Sequence, residues 1–115
     1  MTSDIDQLRV QIEPTGPTNP GPVIIHLDGE LDPHTAPTLQ DALDEVTRGG
    51  ASQVVLDLAE LRFIDSSGLR VVISAHRALS DGGGQLVLRS PSETASRLLE
   101  ITGLTGHLFI EDDAR

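Results

Sequence analysis

Ser66 and Ser67 follow Asp65 and precede Gly68 in the run Ile64-Asp65-Ser66-Ser67-Gly68-Leu69. A carboxylate, two hydroxyls and a glycine in that order suit three chemistries: capping a helix, nucleophilic attack, or acceptance of a phosphoryl group. Downstream, Leu69, Val72, Ile73, His76 and Leu79 recur at steps of three and four, which predicts a helix from about Ser66 to Ser80. Ser66 then stands at a helix entry. The first amides there lack intrahelical partners, so an oxygen of Ser66 or Ser67 can cap one, with Gly68 easing the turn. The same place favours anions, because unpaired amides and the helix dipole point at it. A phosphate on Ser66 would add about −1.5 to −2 charge. Local chemistry alone does not choose between a capping and a modified serine.

Nucleophilic catalysis needs a base beside the serine. The four histidines are His26, His34, His76 and His107, and none stands in a triad-like spacing. Gly-x-Ser-x-Gly is absent. His76 falls on the apolar stripe and reads as a core histidine. The histidines are too scattered and the carboxylates too much like solvated faces to form a metal set. Without cysteine, thiolate chemistry, disulfides and cysteine-ligated zinc are excluded. The expectation is no catalytic residue, no metal, no cofactor and no enzyme.

The elements that must position Ser66 follow from periodicity. Leu8, Val10 and Ile12 alternate with polar residues, predicting a half-buried strand near a sheet edge. Pro14 to Pro22 carries four prolines in nine residues and reads as a long hairpin connection. Val23 to Leu27 is a nearly continuous apolar run, expected of a covered strand, which Gly29-Glu30-Leu31-Asp32-Pro33 ends. A helix pattern begins near Thr35, with Ala36, Leu39, Leu43 and Val46 as its buried stripe and Gly49-Gly50 as its stop.

Gln53 to Leu58 predicts a strand, followed by a connection from Ala59 to Asp65. Asp81 to Gly84 closes the helix that starts at Ser66, and Gln85 to Arg89 predicts another strand. Ser90-Pro91-Ser92-Glu93 fits a capping box, with Ser90 as the cap and Pro91 at the first helical position. A third helix carries Ala95, Leu98 and Leu99 and ends at Gly103. A last strand includes Leu108-Phe109-Ile110. Strands alternating with helices after an initial hairpin imply an α/β fold with a mixed, mostly parallel sheet of four to five strands. Loops after parallel strands gather at one sheet edge. That places Glu30 and Asp32 beside Asp65, Ser66 and Ser67.

Composition bounds the partners. The 115 residues suit one domain, expected over residues 7–111 with flexible termini at 1–6 and 112–115. The apolar fraction of 37% suffices for one core, and the net charge is −10. That field repels nucleic acid and anionic lipid. No apolar run approaches the roughly 20 residues that span a bilayer, and the polar, acidic N-terminus is unlike a secretory signal. The expected location is the cytoplasm, with no nucleic-acid or membrane partner.

The run from Phe63 to Leu69 resembles the signature of the STAS family, specifically the anti-sigma-factor antagonists. Gly29-Glu30-Leu31-Asp32 followed by Thr35-Ala36 and Leu39 is similar to it as well. So are the glycine turn at Gly82 to Gly84 and Leu99-Glu100-Ile101-Thr102-Gly103-Leu104. The likeness covers roughly Leu8 to Ile110. It implies a single STAS-type domain and a stress-response partner switch in which Ser66, not Ser67, is phosphorylated. Unphosphorylated, such an antagonist binds an anti-sigma factor that is itself a serine kinase with a histidine-kinase-like ATPase fold, and the sigma factor is released. Phosphorylation weakens the complex, and a serine phosphatase resets it. The docking surface implied is Glu30, Asp32, Asp65, Ser67, Gly68, Leu69 and Arg70. Arg70 departs from the family pattern, which often has glycine or a small residue there, and is expected to pair with the phosphate or with Asp65. A non-switching STAS role is the alternative: a scaffold, a lipid-transport accessory or a nucleotide-binding sensor.

Overall fold

Among the described residues, alternating and stripe-like apolar patterns fold into five strands and three helices. The computed structural model describes residues 8–13, 22–91, 93–102 and 109–111. In chain order the elements are β1 (Leu8–Glu13), β2 (Val23–Leu31), α1 (Ala36–Arg48), β3 (Gln53–Ile64), α2 (Ser66–Asp81), β4 (Gln85–Arg89), α3 (Glu93–Thr102) and β5 (Phe109–Glu111). The strands form one sheet in the order β1-β2-β3-β4-β5. β1 and β2 are an antiparallel pair, and every later neighbour is parallel. The mixed, mostly parallel α/β sheet expected from sequence is therefore present, with β1 at one edge.

Strands laid down in one direction by right-handed crossovers carry their helices on one face. α1 packs against β1, β2 and α2; α2 packs against β3 and β4; α3 packs against β3. The core follows the strand pleat. Ile25, Leu27 and Leu31 of β2, Val54, Leu56 and Leu58 of β3, and Leu86 and Leu88 of β4 are buried. They meet Leu39, Leu43 and Val46 of α1 and Leu69, Val72 and Leu79 of α2. The expected α1 stripe is buried throughout, joined by Ala42. On α2, Ile73 and His76 are only half-buried, while Gly68 and Ala75 complete the stripe. Among the described residues no helix is long and apolar enough to cross a membrane.

Three boundaries differ from the sequence reading, each for a physical reason. β2 runs on through Gly29 and Glu30 to Leu31, because Pro33 and not Gly29 is the first residue that cannot continue it. Gly29 accommodates a φ of 126° inside the strand. β3 likewise continues to Ile64, where a connection from Ala59 to Asp65 was expected. Register shifts between His26 and Asp28 and between Gly29 and Glu30 change the pairing of β2 with β3. Beyond Leu58 the buried positions of β3 are therefore Leu61 and Ile64, a spacing of three that hides the strand.

The third difference is at α3, which starts at Glu93 rather than Pro91. Ser90 has a φ of 54°, a left-handed conformation unlike the extended backbone of an N-cap, so the expected box with Ser90 as cap does not form. Most of the proline-rich connection, Gly103, Leu108 and both expected flexible termini lie outside the described residues.

Candidate functional site

β2 and β3 end together at the carboxyl edge of the sheet, where Leu31 pairs with Ile64. One residue later the Asp65 amide donates to the Leu31 carbonyl at 3.2 Å, which ties the loop after β2 to the start of α2. Asp32 and Asp65 therefore begin two adjacent loops, as the sequence reading required.

Asp65, not a serine, caps α2. Its backbone is extended, with φ −122° and ψ −169°, and its Oδ1 accepts from the Ser67 amide at 2.9 Å and the Gly68 amide at 3.4 Å. A carboxylate caps better than a hydroxyl here because it also answers the positive end of the helix dipole. The sequence reading left capping by Ser66 or Ser67 open as one alternative, and the structure gives the cap to Asp65 instead. Ser66 becomes the first helical residue and is exposed, while Ser67 is half-buried. Among the described residues the Ser66 hydroxyl has no hydrogen-bond partner. Relieved of capping, that oxygen faces solvent on a rigid helix start.

The neighbouring loop is built the same way. Asp32 Oδ1 accepts from the His34 amide at 2.9 Å and the Thr35 amide at 3.0 Å. These bonds, the Thr35 amide foremost, hold the Asp32 carboxyl below its ordinary value. Thr35, 6% exposed, is a buried pin. Its Oγ1 donates to the Glu30 carbonyl at 2.9 Å and accepts from the Asp32 amide at 3.0 Å. The sequence reading used Thr35 as a helix boundary and as part of the family-like pattern; its buried hydroxyl is what fixes the acidic loop.

The structure brings Asp32, Asp65 and Ser66 to one edge and separates the other candidates by burial. Glu30 and Arg70 are exposed, whereas Gly68 and Leu69 lie on the buried face of α2. Those two position the serine and present no surface. Phe63, 42% exposed, stands two residues before Asp65 and pairs in register with Glu30. An aromatic residue in an apolar run reads as core, and only the irregular β3 register turns this one outward.

A second cluster crosses the sheet face opposite the helices. His26 on β2 bonds Glu13 of β1 through Nε2 and Asp57 of β3 through Nδ1, both at 2.9 Å, and Arg89 of β4 reaches the same Asp57 oxygen at 3.3 Å. Both imidazole nitrogens are engaged, so His26 has none left to act as a base toward a substrate. Among the described residues no group of histidines and carboxylates could hold a metal ion. The row ties four strands together. The Glu13 hydrogen bond is the main cause raising the His26 pKa above 6.5, against partial desolvation and with help from Asp57. Partial burial pushes the Asp57 carboxyl up, but the Ala59 amide, His26 and Arg89 outweigh it and leave it below 3.8.

A raised imidazole pKa stabilises the fold below 6.5 and ceases to do so as pH rises through the folded value. A lowered carboxyl pKa stabilises above 3.8 and is lost as pH falls through its folded value. The row thus contributes most between pH 3.8 and 6.5. Denaturant unfolding of His26→Gln beside the wild type should show a stability gap that shrinks from pH 6 to pH 8. With the side chains this solvated, the gap stays below about 1 kcal/mol. A gap independent of pH would exclude the row as its source.

The family model for the STAS domain matches residues 13–114, and the chain belongs to that family. It is 35% identical over 94 residues to the anti-sigma F factor antagonist of Paenibacillus polymyxa, covering 81% of this chain and 80% of that one. It is also 35% identical over 88 residues to the anti-sigma-B factor antagonist of Listeria monocytogenes, covering 76% and 77%. Among solved structures, the anti-sigma factor antagonist SpoIIAA in its unphosphorylated form superposes with a TM-score of 0.77 at 26% identity, covering 93% of this chain and 90% of that one. The phosphorylated form of the Bacillus protein superposes with a TM-score of 0.72 at 26% identity, covering 93% of both chains.

Proposed function

We propose that this protein is an anti-sigma-factor antagonist whose affinity for its partner is switched by phosphorylation of Ser66. The observation that carries the reading is the exposed Ser66 hydroxyl at the first position of α2, beside an aspartate that has taken over the capping role. The relatives named as antagonists of anti-sigma F and anti-sigma-B factors support the partner class, and SpoIIAA, described in both phosphorylated and unphosphorylated forms, supports the modification.

In this reading the unmodified edge docks on an anti-sigma factor that is also a serine kinase, through Glu30, Asp32, Asp65, Ser67 and Arg70, with Gly68 and Leu69 holding them in place. The kinase directs Ser66 Oγ at the γ-phosphorus of ATP; the hydroxyl proton goes to a base of the kinase and ADP departs. The new charge lies beside Asp65 and Asp32, so a docked partner would enclose like charges and binds less well. A serine phosphatase returns the hydroxyl by hydrolysis. The catalytic groups belong to the partners, and this chain is their substrate.

Intact-mass measurement after incubation with a candidate kinase and ATP tests the assignment. One phosphate should be added to the wild type and to Ser67→Ala and none to Ser66→Ala. Modification of Ser66→Ala to the same extent as the wild type would move the site elsewhere. Absence of modification by every kinase of this type in the source organism would leave only a non-switching STAS role.

A further inference from the structure

Arg70 lies exactly one helical step of four residues after Ser66, on the same face of α2, and both are exposed. Side chains at that spacing are neighbours, with Cβ atoms about 5–6 Å apart. The other positions three or four residues from Arg70 are Ser67, Ile73 and Ser74, so no carboxylate on the helix faces its guanidinium. Asp65 is five residues away, outside that spacing, and its Oδ1 is turned into the cap. Among the described residues Arg70 forms no ion pair. At helical spacing, then, this cation has only uncharged neighbours until Ser66 is modified.

We infer that Arg70 is the intramolecular positioning residue for a phosphate on Ser66, holding it against the face of α2. A guanidinium offers five donors in a planar fork that matches phosphate oxygens, and a charge-assisted pair of this kind is stronger than a neutral hydrogen bond. This intramolecular pairing occurs only in the modified state, where it adds to the part Arg70 plays in docking. It offsets part of the repulsion among the phosphate, Asp65 and Asp32, and fixes the direction in which the phosphate meets a partner. The inference rests on the assignment of Ser66 as the phosphorylated residue, but its test does not need a kinase.

The test uses the full chain with phosphoserine installed at position 66 during synthesis, and reads the second phosphate ionisation by 31P NMR. A nearby guanidinium favours the dianion, so the wild-type ionisation should lie roughly 0.3 unit below that of Arg70→Gln. Arg70→Lys should recover part of the difference. Arg77→Gln removes an equal charge from an exposed site about two turns further along the helix than Arg70, and should leave the value where it is. Raising the salt concentration should shrink the wild-type difference. Equal ionisation in the wild type and Arg70→Gln would overturn the inference, as would an equal shift in Arg77→Gln. Failure of any kinase to modify Ser66 would instead remove the proposed function and leave this measurement standing.

Discussion

Under the proposed function, Ser66→Asp should lose at least about tenfold in affinity for its anti-sigma-factor kinase, a change of about 1.4 kcal/mol. A permanent carboxylate at the first position of α2 reproduces part of the charge that phosphorylation adds there. Ser66→Ala should behave in the opposite way. Its hydroxyl has no partner among the described residues, so its removal leaves stability within about 0.5 kcal/mol of the wild type. Binding then persists and no longer declines when ATP is supplied. Calorimetric titration of the kinase with each variant, with and without ATP, reads all of these outcomes. Equal affinity of Ser66→Asp and the wild type would mean that the partner does not sense charge at this edge.

Gly68→Ala should unfold at a temperature about 8 °C lower, a loss of about 2 kcal/mol. A Cβ at this position would lie 2.5 Å from Leu31 Cδ2 and closer still to Leu31 Cγ, with Ile64 Cγ1 at 3.2 Å. Leu31 is completely buried within the core. Either it leaves its rotamer or the start of α2 lifts off the end of β2. Alanine regains up to about 1 kcal/mol of helix propensity, so the overpacking cost must exceed that figure for the loss to appear. Lifting α2 also moves Ser66 relative to Asp32. Gly68→Ala should therefore be phosphorylated more slowly even at temperatures where it stays folded, a combination that pure destabilisation would not give. Thermal unfolding and the initial rate of phosphate incorporation at 10 °C measure the two effects separately.

Amphipathic elements were legible because their partners are near in sequence. The α1 stripe of Ala36, Leu39, Leu43 and Val46 repeats at helical spacing, and all four residues are buried. β4 shows its pleat in five residues, with Leu86 and Leu88 inward and Arg89 less buried. The second half of β3 was not legible, because irregular pairing with β2 replaces alternation with the interval from Leu61 to Ile64. The family signature located the edge that holds Asp65 and Ser66 but not their division of labour. Either residue type caps a helix, and only the bonds from the Ser67 and Gly68 amides assign that task to the aspartate. Glu13, His26, Asp57 and Arg89 gave no signal at all. They lie on four different strands, and a row of charges across a sheet exists only once register is known.

The order of the strands across the sheet has a consequence for how the protein comes into being. Each strand pairs only with the strands immediately before and after it in the chain. During synthesis, every strand after the first emerges to find one neighbour already made, and none must wait for a distant segment to supply its first edge. The loops to be closed are each a single crossover or hairpin, which keeps the entropic cost of pairing small and repeated rather than large and concentrated. Pairing of β2 with β3 does not require β4, so the Leu31–Ile64 junction that seats Ser66 can form before β4 and β5 extend the sheet.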